Sequence, residues 1–296
     1  MIFGYKIEEL YQSLVSTNDT TSFDNIRWFH EIKTDDKLWG RFGKNDLHYF
    51  IDITDIGVAT YHLNSKKTTF YNTKGLEQRQ ILSYYIHHLV PFILSLRGDL
   101  ILHGGSFIRN QQAFVYLGEQ GSGKSTLGLQ LLQLQQMVLA DDSVKIKMNP
   151  GCFEILSGPN TIRINNDLPI KLTKNFEFTH SYFNKKLMLL PLEKITDRPY
   201  HLRALFLLEN AELFSIDQLK PSEAFPYLLK NVFRLDTENQ QLLRHEFRSL
   251  NDLLSHVPCY LIHWPQNFKN LENNTKNILN FIDIDINKRN SKLIQI

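Results

Sequence analysis

The sequence predicts an α/β fold whose central sheet carries a phosphate-binding loop, preceded by a β-rich N-terminal region. Residues 116–131, YLGEQGSGKSTLGLQL, fit the pattern G-x-x-x-x-G-K-[ST] between an apolar strand and a helix. From residue 99 onward, short apolar runs alternate with helical patterns, as in α/β proteins. The first 95 residues instead hold short runs rich in aromatic and β-branched residues. We therefore expect an N-terminal region over 1–95 and a catalytic domain over 96–296.

The N-terminal region is expected to form a small, mostly antiparallel sheet followed by a helix. Its strand candidates are RWFHEIK, LHYFIDIT and GVATYHL, which Asp, Asn and Gly separate. The stretch LEQRQILSYYIHHLVPFILSLRG has apolar residues near helical spacing. Pro91 should kink this helix or end its regular part, and Arg97-Gly98 should stop it.

The remainder predicts strands and helices in alternation. DLILHGG and QAFVYLG are apolar runs, and KSTLGLQLLQLQQ predicts an amphipathic helix with Leu127, Gln130 or Leu131, and Leu134 on one side. MVLADD predicts a strand ending on two carboxylates, and VKIKM alternates like an exposed strand. Further strands are expected at GPNTIRI, HLRALFLLE and VPCYLIHWP, and helices at SEAFPYLLKNVF and QLLRHEFRSLNDLLSH.

The composition, net charge and cysteine count limit the classes of protein to which the chain could belong. The chain has 296 residues, 42% of them hydrophobic, and a formal net charge of +2, which does not predict a nucleic-acid partner. Its two cysteines, Cys152 and Cys259, favour a reducing compartment and match no zinc-site spacing. The longest apolar stretches are too short to span a bilayer. We expect a soluble, cytoplasmic protein without a membrane partner.

The glycine-rich loop predicts a nucleotide site because its backbone N–H groups and the following helix N-terminus can surround phosphate oxygens. In such loops the lysine reaches the β- and γ-phosphates, and the serine hydroxyl binds Mg²⁺. In this sequence the lysine is Lys124 and the serine is Ser125. The expected nucleotide-binding residues are Gly118, Glu119, Gln120, Gly121, Ser122, Gly123, Lys124, Ser125 and Thr126.

Among phosphate-loop proteins, the sequence favours a kinase. LSGPN at residues 156–160 departs from a transporter ATPase signature and predicts a turn, and NKKL at Asn184 lacks the aspartate of a guanine-specific motif. Asp141 and Asp142 instead follow a predicted strand, 17 residues after Lys124, where one could hold Mg²⁺ and the other accept an alcohol proton. His103 also precedes the loop, at the end of a strand, where a structural and a phosphate-contacting role are both open.

The motifs LHGGSF, GEQGSGKST, LADDSVKI and GPNTIRI, taken in this order, resemble the C-terminal catalytic domain of HPr kinase/phosphorylase. The resemblance covers residues 98–165 well and continues more loosely to about residue 270. It implies a central sheet of the HPr-kinase type and transfer of the γ-phosphoryl group of ATP, with Mg²⁺, to a serine hydroxyl. His103, Lys124, Asp141 and Asp142 would be catalytic, with Asp142 as the general base and Asp141 as the metal ligand.

The chain departs from that family in two places. A second signature resembling E-I-R-G-x-G has no counterpart in GPNTIRINND, and the first 95 residues do not look like the family's N-terminal domain. The chain is more similar to HPr-kinase-like enzymes that tailor lasso peptides, which implies the C-terminal serine of a precursor peptide as the acceptor. Members of the HPr kinase family assemble as rings, but no residue pattern in this sequence carries that assembly over, so a homo-oligomer stays open.

Other interpretations stay open from the sequence. A small-molecule kinase could use the same site, and a nucleotide-sensing module could bind ATP and regulate a partner. The acid pair favours chemistry over binding alone, and the N-terminal region favours a macromolecular acceptor. Arg163, Lys185 and Lys186 are further candidates for contacts with phosphate or with the acceptor. Of these, Arg163 is expected to be one of the nucleotide-binding residues.

Overall fold

The chain is described by a computed structural model over residues 3, 11–15, 25–34, 37–71, 74–159, 161–165, 178–182, 185–189, 198–265 and 267–286. It divides into two compact units. The first comprises Met1–Ile101 and Val232–Ser249, and the second comprises Leu102–Asn231 and Leu250–Ile296. Residues 232–249 thus group with the N-terminal part, whereas the sequence analysis places a single division near residue 95.

The first unit contains a six-stranded sheet, so the predicted β-rich N-terminal region is present. Its order is β1-β6-β5-β4-β3-β2, and neighbouring strands are antiparallel except for the parallel pair β1 and β6. The strands are β1 Tyr11–Val15, β2 Arg27–Thr34, β3 Lys37–Lys44, β4 His48–Ile53, β5 Gly57–His62 and β6 Thr68–Tyr71.

A helical run follows this sheet. Helix α1 spans Gln78–Tyr84, a π-helical turn spans Tyr85–Leu89, and α2 spans Val90–Leu96. Pro91 lies in the first turn of α2, where a backbone N–H would have no intrahelical acceptor. The π-helical turn directly precedes α2. Within that turn the N–H of Val90 donates to the carbonyl oxygen of Tyr85, five residues back. The irregularity predicted for Pro91 therefore takes the form of a π-helical turn.

Asp236 connects residues 232–249 to the sheet of the first unit. Its side chain is fully buried and accepts hydrogen bonds from Lys44 Nζ and Tyr49 Oη, both at 2.7 Å. The backbone N–H groups of Glu238 and Asn239 donate to its other oxygen. Burial alone would raise the pKa of Asp236, but these hydrogen bonds outweigh burial and lower it.

The second unit holds the larger sheet, a small antiparallel sheet in the order β13-β15-β14, and most of the remaining helices. Its strands are β8 Gly104–Arg109, β9 Gln112–Gly118, β10 Met137–Ala140, β11 Val144–Asn149, β12 Cys152–Ile155, β13 Thr161–Asn165, β14 Phe178–Tyr182, β15 Lys185–Leu189, β16 Tyr200–Asn210, β17 Ser215–Leu219 and β18 Cys259–Trp264. Its helices are α3 Lys124–Gln133, α4 Pro221–Lys230 and α6 Leu271–Phe281, the last followed by a π-helical turn at Ile282–Ile286. Strand β7 Leu100–Leu102 and helix α5 Gln240–His256 cross the division between the units.

The larger sheet is mixed. It runs β10-β8-β9-β16-β12-β11, and β18 and then β17 continue from β16. Strands β9, β16 and β18 are parallel, whereas β8 is antiparallel to both of its neighbours, β9 and β10. The predicted strands and helices of this half are thus present, within an α/β architecture whose sheet is not uniformly parallel.

Helix α3 differs from the amphipathic helix that the sequence predicts. Residues 127–132 are all buried. One side of the helix packs on β8, β9 and β10, and other sides of the helix pack against β13 and α6. Strand β11 differs from the exposed strand that VKIKM predicts, because its first three residues are buried. None of the helices in the described part of the chain has the length and continuous apolar character of a bilayer crossing.

The Asp236 cluster predicts a pH-dependent stability. Asp236→Asn should lower the free energy of unfolding by about 2 kcal/mol at pH 7, because Lys44 loses its buried charged partner. A carboxyl whose pKa is lowered by folding stabilises the fold above its unfolded pKa of about 3.9 and loses that contribution as the pH falls through the folded value. Urea unfolding from pH 7 to pH 3 should therefore show the difference between the two proteins shrinking.

Glu31→Gln is the matched control, because Glu31 forms an exposed ion pair with Lys33. It should change the free energy of unfolding by less than about 0.5 kcal/mol. A pH-independent difference between Asp236→Asn and the wild type would contradict the account.

Candidate functional site

The sheet brings the glycine-rich loop, the acid pair and His103 to one edge. Strands β9 and β10 run in the same direction because β8, which lies between them, is antiparallel to both. Gly104 at the start of β8 is opposite Leu117 near the end of β9, and Ser106 is opposite Ala140 at the end of β10. The segments that follow β9 and β10 therefore emerge beside the segment that precedes β8.

The loop after β9 has the conformation that its glycines allow. Gly121 and Gly123 have φ values of 82° and 93°, in the left-handed region that other residues rarely adopt. A Cβ atom on Gly118 would lie 2.4 Å from Ser122 Oγ, so this glycine permits a close turn of the backbone. The chain then enters α3 at Lys124, as expected for a loop that surrounds phosphate oxygens at a helix N-terminus.

Lys124 is buried and bends back over the loop. Its Nζ donates hydrogen bonds to the carbonyl oxygens of Gly118, at 2.7 Å, and Glu119, at 3.1 Å. The ammonium group is thereby held at the mouth of the loop, where exchange of these two weak acceptors for phosphate oxygens would be favourable.

Ser125 and Asp141 meet where α3 begins and β10 ends. Ser125 Oγ lies 3.5 Å and 3.4 Å from the two carboxylate oxygens of Asp141, and Asp141 is 2% exposed. These distances are longer than an ordinary hydroxyl–carboxylate hydrogen bond. Neighbouring ligands of an octahedral Mg²⁺ lie about 3.0 Å apart, since each bond is about 2.1 Å. The hydroxyl and the nearer carboxylate oxygen, at 3.4 Å, are close enough to share one magnesium ion after a small approach of the two side chains.

Asp142 is the more accessible acid of the pair. Its φ of 69° is left-handed, a conformation that aspartate tolerates better than most residues. It is half-buried, whereas Asp141 is buried. The two carboxylates thus differ in environment, as expected for two acids with different roles.

Tyr116, which sequence reasoning did not single out, lies beneath this site. The side chain is buried, and its hydroxyl has no hydrogen-bond partner among the described residues. Burial first, and then the negative charges of Asp141 and Asp142, raise the pKa of Tyr116 well above its usual value. An unsatisfied buried hydroxyl costs about 1–3 kcal/mol, so its presence at this position calls for an explanation.

Two glycines make room for that hydroxyl. A Cβ atom on Gly105, opposite Tyr116 on β8, would lie 2.2 Å from the phenol oxygen, and one on Gly128 of α3 would lie 2.7 Å from it. The sequence contains both glycines, but only the strand register and the position of α3 show that both lie against the Tyr116 hydroxyl.

Helix α4 ends at the same edge. The backbone N–H of His103, which is half-buried, donates to the carbonyl oxygen of Asn231 just after α4. Lys230 Nζ lies 3.3 Å from Glu119 Oε1, and both side chains are more than two-thirds exposed. This exposed ion pair lies at the outer end of the site. A contact between the His103 side chain and phosphate stays a prediction.

Trp264, at the end of β18, supports the loop from another side. It is 1% exposed, and a Cβ atom on Gly123 would lie 3.0 Å from its indole nitrogen. Its ring also contacts Phe214. Sequence reasoning assigned β18 only as a strand and did not connect this tryptophan with the loop.

The remaining predicted residues divide into two groups. Glu119 and Gln120 are exposed at the loop, and Thr126 is half-buried in the first turn of α3. The backbones of Arg163, Lys185 and Lys186 lie in the small antiparallel sheet, at β13 and β15, but their side chains fall outside the described part of the structure.

Comparisons with known proteins give similarities among solved structures alone. No protein-family model matches the chain, and no curated protein matches it significantly. Among solved structures, the chain is similar to the HPr(Ser) kinase/phosphatase from Coxiella burnetii, with 12% sequence identity and a TM-score of 0.34. The similarity covers 62% of this chain and 98% of that one. The roles proposed below therefore rest on contacts within this chain.

The crowding of the Tyr116 hydroxyl predicts a coupling between two substitutions. Gly128→Ala should lower the free energy of unfolding by about 1–2 kcal/mol, because the new methyl group strikes the phenol oxygen. In the Tyr116→Phe background the same change should be neutral or stabilising by up to about 1 kcal/mol, since alanine favours helix over glycine.

Urea unfolding of the four proteins gives the interaction energy as a double-mutant cycle. Equal effects of Gly128→Ala in both backgrounds would show that the phenol oxygen does not limit the space at residue 128.

Proposed function

We propose that the chain is an ATP-dependent, Mg²⁺-requiring kinase that transfers the γ-phosphoryl group to a serine hydroxyl of a peptide or protein. The observation that carries this proposal is the approach of Ser125 Oγ to the Asp141 carboxylate beside the glycine-rich loop. This contact supports binding of Mg²⁺ with the nucleotide, and the second acid of the pair, Asp142, favours phosphoryl transfer over binding alone. The C-terminal serine of a lasso-type precursor is the favoured acceptor, and its support is the sequence resemblance alone.

The phosphates of ATP would be bound by residues 118–126. The backbone N–H groups of the loop and the first turn of α3 supply donors, and the partial positive charge of the helix N-terminus favours the anion. Lys124 would exchange the carbonyl oxygens of Gly118 and Glu119 for phosphate oxygens. The buried position of its amino group strengthens that interaction relative to water.

Ser125 and Asp141 would hold Mg²⁺, whose chemistry is to neutralise phosphate charge and fix the orientation of the phosphate chain. Both residues offer oxygen ligands, which this ion prefers. Asp141 is suited to this role because its carboxylate is buried and lies against the first turn of α3.

Asp142 would accept the proton of the acceptor. The serine oxygen forms a bond to the γ-phosphorus while the bond from that phosphorus to the β–γ bridging oxygen breaks. The serine proton passes to the Asp142 carboxylate, and ADP leaves with the bridging oxygen. Lys124 stabilises negative charge on the transferred group. The half-buried position of Asp142 allows it to meet an incoming alcohol, which the burial of Asp141 does not.

Lys124→Ala should weaken ATP binding by roughly 10- to 100-fold, since it removes charge-assisted hydrogen bonds to phosphate. Titration with a fluorescent ATP analogue measures the dissociation constant. Lys147→Ala is the control, because Lys147 is an exposed lysine of β11 that pairs with Glu154. Equal affinities for both variants and the wild type would exclude the loop as the nucleotide site.

Asp142→Asn should leave ATP affinity within about threefold of the wild type and lower phosphoryl transfer by roughly 10²-fold or more, because the amide cannot take the proton. Transfer from γ-labelled ATP is measured with serine-containing peptides, peptides ending in serine, HPr and free amino acids.

Asp217→Asn, at an exposed aspartate of β17, is the matched control and should retain full transfer. Transfer by Asp142→Asn at the wild-type rate would exclude Asp142 as the base. Transfer by the wild type to free amino acids alone would favour a small-molecule kinase, and ATP binding without any transfer would favour a nucleotide sensor.

A further inference from the structure

The last turn of α4 is fixed at the sheet edge that carries the glycine-rich loop. Asn231, the residue after this helix, is buried; its carbonyl oxygen accepts a hydrogen bond from the N–H of His103, and its side chain donates to the carbonyl oxygen of Tyr227. The Tyr227 hydroxyl lies 3.3 Å from a carboxylate oxygen of Glu209, near the end of β16. The backbone of Lys230, which ends α4, is therefore held in place, whereas its exposed side chain is free to reorient.

Two lysines meet at Glu119, the first residue after β9. Lys230 Nζ lies 3.3 Å from Glu119 Oε1, and Lys124 Nζ donates a hydrogen bond to the Glu119 carbonyl oxygen at 3.1 Å. The strand register explains why Lys230 reaches this residue. Gly118 is opposite Leu208 on the parallel strand β16, so Glu119 follows beside the end of β16, which the last turns of α4 contact. The two ammonium groups therefore lie at the same end of the loop.

That end of the loop is where the terminal phosphate of a nucleotide would lie. The lysine of such a loop reaches the β- and γ-phosphates. Lys124 Nζ is held at the carbonyl oxygens of Gly118 and Glu119, so the γ-phosphate is expected beside the first residues of the loop. A lysine side chain that already contacts Glu119 is within reach of that position. ADP has no phosphate there.

We propose that Lys230 is a second phosphate-binding lysine, which leaves Glu119 when ATP binds and donates hydrogen bonds to the γ-phosphate oxygens. This inference rests on the proposed function, because it requires that the loop binds ATP. The exchange of partners costs little, since the side chains of Lys230 and Glu119 are 68% and 77% exposed and such ion pairs contribute little to stability. Lys230 would thereby distinguish ATP from ADP.

The charges of the site favour such a contact. Asp141 and Asp142 place two carboxylates near a triphosphate that is itself negative, and Lys124 with one Mg²⁺ offsets only part of this charge. A further cation would stabilise the triphosphate more than the diphosphate. The Glu119 carboxylate has the opposite effect, because it competes with phosphate for Lys230 and repels the phosphate.

Lys230→Gln should weaken ATP binding about tenfold and ADP binding by less than about threefold, because only ATP loses a charge-assisted hydrogen bond. Titrations with fluorescent analogues of ATP and ADP, both in the presence of Mg²⁺, give the two dissociation constants. Lys230→Arg keeps the charge and should retain most of the preference for ATP. Lys276→Gln is the matched control, since Lys276 forms an exposed ion pair with Glu272 on α6, and it should change neither constant.

Glu119→Gln should change the affinity in the opposite direction. It should strengthen ATP binding about two- to fivefold, because it removes a competitor for Lys230 and a negative charge near the phosphates. In the Lys230→Gln background this gain should be smaller. Glu272→Gln is the control and should leave the affinity unchanged. An ion pair that only stabilised the loop would instead give weaker binding of both nucleotides in Lys230→Gln and in Glu119→Gln.

The possible failures are distinguishable. Equal weakening of ATP and ADP in Lys230→Gln, or wild-type affinity for both, would overturn the inference and leave the proposed kinase intact. If the variants behave as expected but the wild type transfers phosphate to no acceptor, the kinase function fails and the contact between Lys230 and ATP stands. If the wild type does not bind ATP, or Lys124→Ala binds it equally well, the nucleotide site and this contact both fail.

Discussion

The approach of Ser125 Oγ to the Asp141 carboxylate, at 3.4–3.5 Å, is the contact on which the account of this protein depends. It joins the helix after the glycine-rich loop to the end of a strand that is not its neighbour. The antiparallel strand β8 makes this possible, because it separates β9 from β10 while leaving both directed toward one edge. Without that common direction, the loop and the acids would open on opposite ends of the sheet.

The site contains features that oppose folding stability. Lys124 is buried, Asp141 is 2% exposed, and the Tyr116 hydroxyl has no hydrogen-bond partner among the described residues. Each of these groups is costly to bury, whereas an apolar side chain of similar volume is not. Polar groups concentrated in this way at one sheet edge are typical of a site that binds and orients charged ligands, and the surrounding apolar core offsets their cost.

Local sequence patterns predict most elements here, and long-range packing accounts for the rest. The strand–loop–helix unit around Lys124 and the acid pair after β10 follow from short motifs, so the site residues could be proposed without coordinates. The buried sides of α3 could not, because β13 and α6 cover a helix that looks amphipathic alone. The space around the Tyr116 hydroxyl depends on the register that sets Gly105 opposite it, and residues 232–249 join the first unit through Asp236. Neither relation leaves a local signal.

A crystal structure of the protein with Mg²⁺ and a non-hydrolysable ATP analogue would show whether Ser125 and Asp141 share a metal ion. We expect one Mg²⁺ bound to the phosphate chain and to Ser125 Oγ at about 2.1 Å, with Asp141 as a direct ligand or one water away. We also expect Lys124 Nζ to leave the carbonyl oxygens of Gly118 and Glu119 for phosphate. A nucleotide bound elsewhere, or a metal that neither Ser125 nor Asp141 approaches, would contradict this account.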